Sequence, residues 1–430
     1  MNISSNEAWK KIFDKYDIVN KVKEDGQYKI LSKQIKEFRE PRLMSKWDSS
    51  ESLPSILEKS KINILPDSRS SYVLGNFQLY EKVPALTEHV TKMQKVEIPD
   101  FETIDVNNIS SESNAINLLV ISNVLDDFLE VDQNVQTFNG RMGTGEFSFV
   151  VNTRRGKENV FVKNAQCEID GGFENEESVV ILEAKNVVYP DFHIRQLYYP
   201  YRLWQKRVKK PIRLVFSVYS NMIYRLFEYE FQSLEDYSSI QLVKERNYSL
   251  QDTEINNEEL LEVYHKTNVK TDDNMNNTDI PFVQADSFER VISLLEHLYE
   301  NCMTTDDIAE LMQFKDRQSY YYFNAGKYLR LFEKTNDENT GKVVAQLTSL
   351  GERIYKLNYK ARQLSLVKLI LEHKIFHEFF IDIYNNGEFP SKEIVKSKMR
   401  EYNVCGESQI DRRSGSVLSW LKWIFTLSKV

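Results

Sequence analysis

The stretch CEIDGGFENEESVVILEAK, residues Cys167 to Lys185, decides how the chain is read. Two strand-like runs, CEIDGGF and SVVILEAK, flank a polar segment, the pattern of two strands joined by a tight turn around Asn175 to Glu177. Folding one strand back on the other brings Asp170 opposite Glu183 or its neighbour. Glu183 and Lys185 stand two residues apart, so a strand's period of two puts both on one face, with Ala184 pointing into the core among Val180 and Leu182. That face gathers two acids and a lysine. Converging carboxylates repel unless positive charge lies between them, and a hard divalent cation such as Mg²⁺ is well served by carboxylate oxygens and water. A lysine beside such an ion can orient or help deprotonate a water and neutralise charge developing on a phosphate.

Working outward, SESNAINLLVISNVLDDFL before this stretch reads as an amphipathic helix, followed by a Gly-punctuated hairpin, FNGRMGTGEFSFVVNTRRGKENVFVKNA. After it come a helix centred on HIRQLYYPYRLWQKRV and further strands, PIRLVFSVYSN and RLFEYEF. Residues 109–243 therefore read as one α/β domain. Glu112 on the preceding helix and Gln196 on the following one are the neighbours that can complete the site. Arg141, Arg154, Arg155, Lys206, Arg207, Lys209 and Lys210 fit a phosphate track, although each alone is an ordinary surface charge.

Residues 1–108 read as an N-terminal α+β domain whose role is left open between DNA contact and dimerisation. Its charged stretches REPRLMSKWD (Arg39 to Asp48) and LPDSRSSYVLGNF (Leu65 to Phe77) read as solvated loops. Residues 244–285, with TDDNMNNTD, read as a polar linker. Residues 286–360 run helix, helix, helix and a two-stranded polar hairpin around Gly341, the order of a winged helix-turn-helix. TTDDIAELM carries Thr and Asp at its capping end. Arg317, Gln318, Ser319, Tyr320, Asn324 and Lys327, with Lys315, lie at the start and exposed face of the recognition helix, where such side chains reach bases or phosphates. Residues 361–430 read as a second, wingless helix-turn-helix: one helix through LSLVKLILEHKIFHEFFIDIYNNG, then SKEIVKSKMREY, then ESQIDRRSGSVLSWLKWIF, with Ser408, Gln409, Arg412 and Arg413 as its contacts. A protein-docking winged helix is the plain counterpart of both modules.

Composition narrows the class. A chain of 430 residues, 41% hydrophobic and 12% aromatic, is globular and too long for one core. It lacks an apolar run fit for a membrane span or signal peptide, so a cytoplasmic location away from membranes is expected. Three scattered cysteines with no CxxC spacing argue against a disulfide framework or a cysteine zinc site. With a net charge of -8, any nucleic-acid site must be a local basic surface on an acidic body. His373 and His377 have helical zinc spacing but no intervening HExxH glutamate or third ligand, and read as ordinary helical histidines. Neither a phosphate-binding GxxxxGK[ST] loop, a GxSxG elbow nor a GxGxxG fingerprint is present.

The spacing Asp170-x12-Glu183-Ala184-Lys185, on a hairpin between two helices, resembles the PD-(D/E)xK nuclease superfamily. The resemblance implies an α+β multidomain chain whose core is a mixed sheet flanked by helices. It implies Asp170 and Glu183 as Mg²⁺ ligands, joined by the Ala184 carbonyl, and Lys185 as the base or water-positioner. Ile169 stands where the motif's proline usually lies, with Glu168 before it. With the helix-turn-helix modules downstream, the whole resembles a type II restriction endonuclease. That implies site-specific hydrolysis of double-stranded DNA leaving a 5′-phosphate, a homodimer at least when cutting, and a cognate DNA methyltransferase in the same system. The alternatives are a non-catalytic winged-helix DNA-binding regulator with a structural nuclease-like domain, and a modification-dependent or repair nuclease.

Overall fold

The computed structural model describes residues 3–86, 90–92, 101–106, 109, 111–270, 280–314, 318–337 and 340–429. Its centre is a mixed seven-stranded sheet: β1 (Val90–Lys92), β2 (Val135–Gly143), β3 (Gln166–Glu174), β4 (Val179–Lys185), β5 (Ile212–Ser220), β6 (Ile223–Phe231) and β7 (Ile240–Ser249). Their spatial order is β1-β7-β6-β5-β4-β3-β2. The pairs β4–β5 and β1–β7 are parallel and the others antiparallel. Every residue of β4 is buried, as expected of a strand covered on both faces.

Period-two alternation sorts the side chains of β4 between two cores. Val180, Leu182 and Ala184 pack with Ala115, Ile116 and Leu119 of helix α1 (Glu112–Ile121). Ile181 faces the other way, toward Leu197, Tyr198 and Tyr199 of helix α2 (Arg195–Trp204), which lies in the crossover between β4 and β5. An antiparallel hairpin, Glu146–Thr153 with Gly156–Lys163, adds Phe147, Phe149, Val160 and Val162 to that side. The expected hairpin is thus redrawn, because the segment holding Gly140 and Gly143 pairs with β3 instead.

The N-terminal region folds around Trp9, Ile12, Phe13 and Leu57, with a three-stranded sheet of Gln27–Leu31, Ser71–Gly75 and Asn63–Pro66. It is not set apart at residue 108, since β1 belongs to the large sheet and Tyr80–Lys82 pairs with Asp191–His193.

The C-terminal helices include α3 (Phe288–Glu300), α4 (Thr305–Leu311), α5 (Gln318–Tyr328), α6 (Tyr359–Leu371), α7 (Lys374–Asn386), α8 (Lys392–Glu401) and α9 (Glu407–Thr426), with a short helix, Ser349–Tyr355, between α6 and the hairpin that follows α5. Thr304 caps α4 in a reciprocal capping box with Asp307. After α5 the strands Phe332–Asn336 and Val343–Leu347 pair across a turn in which Gly341 has φ +66°. Three expectations are corrected here. The stretches 286–360 and 361–430 share one continuous core, in which Phe288 of α3 packs on Trp420 and Trp423 of α9. The single helix expected across His373 is two, α6 and α7, because the backbone turns extended at His373 (φ -92°, ψ 123°), where Glu372 pairs with Arg330 and the buried His373 ring stacks on Tyr328 at 3.7 Å. The linker at 244–285 contains the end of β7 and a helix, Asn257–Lys266, whose Leu260 is buried and whose Glu259 pairs with Lys360. Its polar composition reflects one exposed face on each element, and residues 271–279 lie outside the described set. No helix among the described residues is long and apolar enough to cross a membrane.

Candidate active site

The β3–β4 turn is held by Asn175, whose Oδ1 accepts the N–H of Glu177 at 2.9 Å and of Ser178 at 2.7 Å. From there the strands pair as Val179 with Glu174, Val180 with Phe173, Ile181 with Gly172 and Leu182 with Gly171. A Cβ on Gly172 would lie 2.3 Å from the Phe138 ring, so a glycine is required where that ring crosses the strand. The ladder ends at Gly171, and the next residue, Asp170, meets β4 through its side chain. The Ala184 N–H donates to Asp170 Oδ2 at 3.0 Å, satisfying a backbone donor that the departing strand would leave unpaired. Since Val179 donates toward Pro211 at the start of β5, strand alternation turns both polar backbone groups of Ala184 toward Asp170.

Glu183 and Lys185 lie side by side, both buried, with Nζ 2.5 Å from Oε1. The Gln196 amide, from the first turn of α2, donates to the same Oε1. Among the described residues its own Oε1 is buried without a hydrogen-bond partner, as is Nε of Arg195 beside it. Glu112 begins α1 just after the Ser111 cap and lines the same cleft. Burial pushes the Glu183 carboxyl well above the usual carboxylate range, Lys185 pulling against this and Asp170 adding to it. Glu112 is raised for the same reason. Burial works against a charged Lys185, yet Glu183, Asp48, Glu112 and Asp170 outweigh it and hold the ammonium well above its ordinary value. The group is thus short of positive charge.

The cleft measures about 480 Å³ and has two walls. One is the sheet end just described, with Arg141, Glu168 and Arg195. The other comes from the N-terminal region: Arg42, Lys46 and Asp48 from one segment, Ser68, Arg69 and Tyr72 from another. These residues lie in the two stretches read as solvated loops, and Asp48 above all was missed. Its segment is pinned by the His193 N–H donating to the Asp48 carbonyl at 3.0 Å, and by Ser49 Oγ and the Ser50 N–H donating to Asp191 Oδ1, each at 2.8 Å.

Three domains of unknown function match this chain. DUF6996 covers residues 6–74, DUF6997 covers 75–249 and DUF7226 covers 290–429. The cleft is formed across the first two matches, and nearly all of the C-terminal helices fall in the third, although their core also takes in Val187, Met222 and Ile223 of the second. No curated protein and no solved structure matches the chain.

Other candidate residues are dispersed. Arg141 lines the cleft but pairs with Glu168 at 3.2 Å. Lys210 bonds Glu174 and the Asn175 carbonyl at the far end of the hairpin, about 20 Å from Lys185 at 3.3 Å per residue, so Lys206 to Lys210 do not border the cleft. Arg155 donates to the Lys23 carbonyl, and neither it nor Arg154 lines the cleft. On α5, Tyr320, Asn324 and Lys327 form an i, i+4, i+7 stripe reaching solvent, with Gln318 half-buried. Ser319 is corrected: it lies on the opposite, buried face with Tyr322 and Phe323. Lys315 and Arg317 fall outside the described residues. Gln409 and Arg412 are exposed at the start of α9, whereas Arg413 is buried beside Cys405, which removes it as a contact.

The donor set suits a hard cation. Asp170, Glu183 and the Ala184 carbonyl offer oxygen, and Gln196 has a buried oxygen to spare. Nearby Cys167 is pushed by burial to about 11 and stays a thiol. Among the described residues no three His, Cys, Asp or Glu form a ready cage. Mg²⁺ commonly keeps several waters and takes one or two carboxylates.

Proposed function

We propose that this protein is a Mg²⁺-dependent endonuclease of the type II restriction kind, hydrolysing phosphodiester bonds in double-stranded DNA at specific sites to leave a 5′-phosphate. The observation that carries the reading is the convergence of Asp170, Glu183 and Lys185 at one end of β4, where the Asp170 carboxylate is fixed by the Ala184 N–H in an open cleft. A mixed sheet between helices supports a PD-(D/E)xK core, and the order α3, α4, α5 and hairpin supports a winged helix that presents Tyr320, Asn324 and Lys327.

Asp170 and Glu183, with the Ala184 carbonyl, would hold Mg²⁺, which when bound supplies Lewis-acid polarisation and acidifies a water. Lys185 is an ammonium among acids, able to grip a phosphate oxygen and orient the attacking water. Gln196 locks the Glu183 carboxylate and keeps an oxygen free to position that water. Glu112, whose carboxyl is raised by burial, lines the same cleft and is a candidate for proton transfer there. One such site cuts one strand, so a double-strand break calls for a homodimer or two encounters. A DNA methyltransferase of the same system is the partner a restriction role implies.

The test is incubation of wild type and Lys185→Ala with unmethylated phage DNA, in Mg²⁺ or EDTA, resolved on a gel. Discrete bands from wild type with Mg²⁺, and a loss of about 10²- to 10⁴-fold in the variant, are expected. DNA binding without cleavage by wild type would overturn the restriction reading in favour of a regulator or a nuclease of modified DNA.

A further inference from the structure

The two walls of the cleft carry unlike charge. The sheet wall sets Glu112, Glu168, Asp170 and Glu183 against Arg141, Lys185 and Arg195. Arg141 is engaged by Glu168 and Lys185 by Glu183, which leaves Arg195, its guanidinium over the Tyr199 ring, as that wall's cation without an ion pair among the described residues. A wall so balanced offers little to a polyphosphate backbone, and the acidic body around it repels one.

The N-terminal wall is the reverse. Arg42, Lys46 and Arg69 are exposed, line the cleft, and make no ion pair or side-chain hydrogen bond among the described residues. Their one acidic companion, Asp48, acts on Lys185 across the cleft. The Arg69 guanidinium lies against β2 at Gly143, with Nη2 3.4 Å from where a Cβ would stand.

The segments that carry these cations are anchored: beside Arg69 the Asp67 carbonyl accepts the Lys163 N–H at 2.7 Å and Ser71 Oγ donates to Asp67 Oδ1 at 2.6 Å, and beyond Lys46 the chain is held as well. The Asp191 carboxylate takes three donors from Ser49 and Ser50, the Trp47 carbonyl accepts from Tyr80 Oη at 3.1 Å, and Glu51 meets Arg290 of α3 at 2.7 Å. Three cations without an ion pair among the described residues, on an anchored wall of the cleft that also holds Asp170, Glu183 and Lys185, make a surface for a row of phosphates.

We propose that the N-terminal region is one half of the DNA-binding cleft, with Arg42, Lys46 and Arg69 gripping backbone phosphates of the duplex laid over Asp170, Glu183 and Lys185. This rests on the nuclease reading and assigns the N-terminal region its part in it. The contacts are sequence-independent and hold the duplex against the cutting residues.

The experiment measures binding of a duplex of about 30 base pairs of arbitrary sequence in EDTA across a salt series. It compares wild type, Arg42→Ala/Lys46→Ala/Arg69→Ala, and a control, Lys10→Ala/Lys11→Ala/Lys59→Ala, whose exposed lysines lie outside the cleft. The cleft variant should bind at least about tenfold more weakly, and its log–log salt slope should fall by about 3, one per lost phosphate contact. The control should match wild type. If the cleft variant binds like wild type while wild type still cuts, the proposal fails and the nuclease reading stands. Equal losses in both variants would overturn it as a general charge effect. A wild type that binds no duplex would remove both readings together.

Discussion

Glu183 at the end of β4 and Glu296 on α3 are both buried acids that meet a buried cation, and their surroundings are opposite. Glu296 is saturated: Arg362 and the Asn221 N–H donate to Oε1 at 3.2 and 3.0 Å, and Ser220 donates to Oε2 at 2.9 Å. One acid faces one cation there, and neutral donors fill the rest. Glu183 instead shares one oxygen between Lys185 and Gln196, and Asp170, Glu112 and Asp48 crowd the same lysine. The first arrangement joins α3 and α6 to the β5–β6 turn. The second leaves negative charge uncompensated and polar atoms unpartnered, a cost that a purely structural site would shed.

The comparison can be broken by making one substitution in both places. Glu296→Gln leaves Arg362 buried without a counter-charge and should cost about 3–5 kcal/mol, read as a lower urea midpoint. Glu183→Gln, assayed in EDTA, should raise the urea midpoint at neutral pH, because the buried carboxyl resists ionisation while Asp48, Glu112 and Asp170 still face Lys185. Its sign follows from the raised carboxyl: the folded state binds the proton more tightly than the unfolded chain, so wild type loses stability as pH rises through the folded value. The variant's advantage should therefore be largest near pH 8 and fade as pH falls toward the ordinary carboxylate range. Urea midpoints at pH 5 and 8 give the difference, and destabilisation by both substitutions would erase the contrast between the two sites.

The hairpin was legible because its information is local. Period-two alternation from Val180 to Lys185 and a turn at Asn175 suffice to bring Asp170 to Glu183, and the capping signals of α4 lie equally close in sequence. Asp48, Arg42, Lys46 and Arg69 were visible as charged residues, but their place in the cleft depends on packing across more than a hundred residues, through Asp191 and His193. The single C-terminal core escaped notice for the same reason, since Phe288 meets Trp420 far along the chain. Ser319 and Arg413 have polar side chains that fit a DNA contact by type, and only the three-dimensional packing of α5 and α9 turns them inward.

The most direct test of the account is a cleavage time course on unmethylated DNA in Mg²⁺ with wild type and Asp170→Asn. The substitution removes a charge while keeping a side-chain oxygen that can accept the Ala184 N–H. Discrete fragments from wild type and a rate at least about 10²-fold lower in the variant, with an unchanged or higher melting temperature, are the predicted result. Equal cleavage by both proteins, or cleavage by wild type that persists in EDTA, would contradict it.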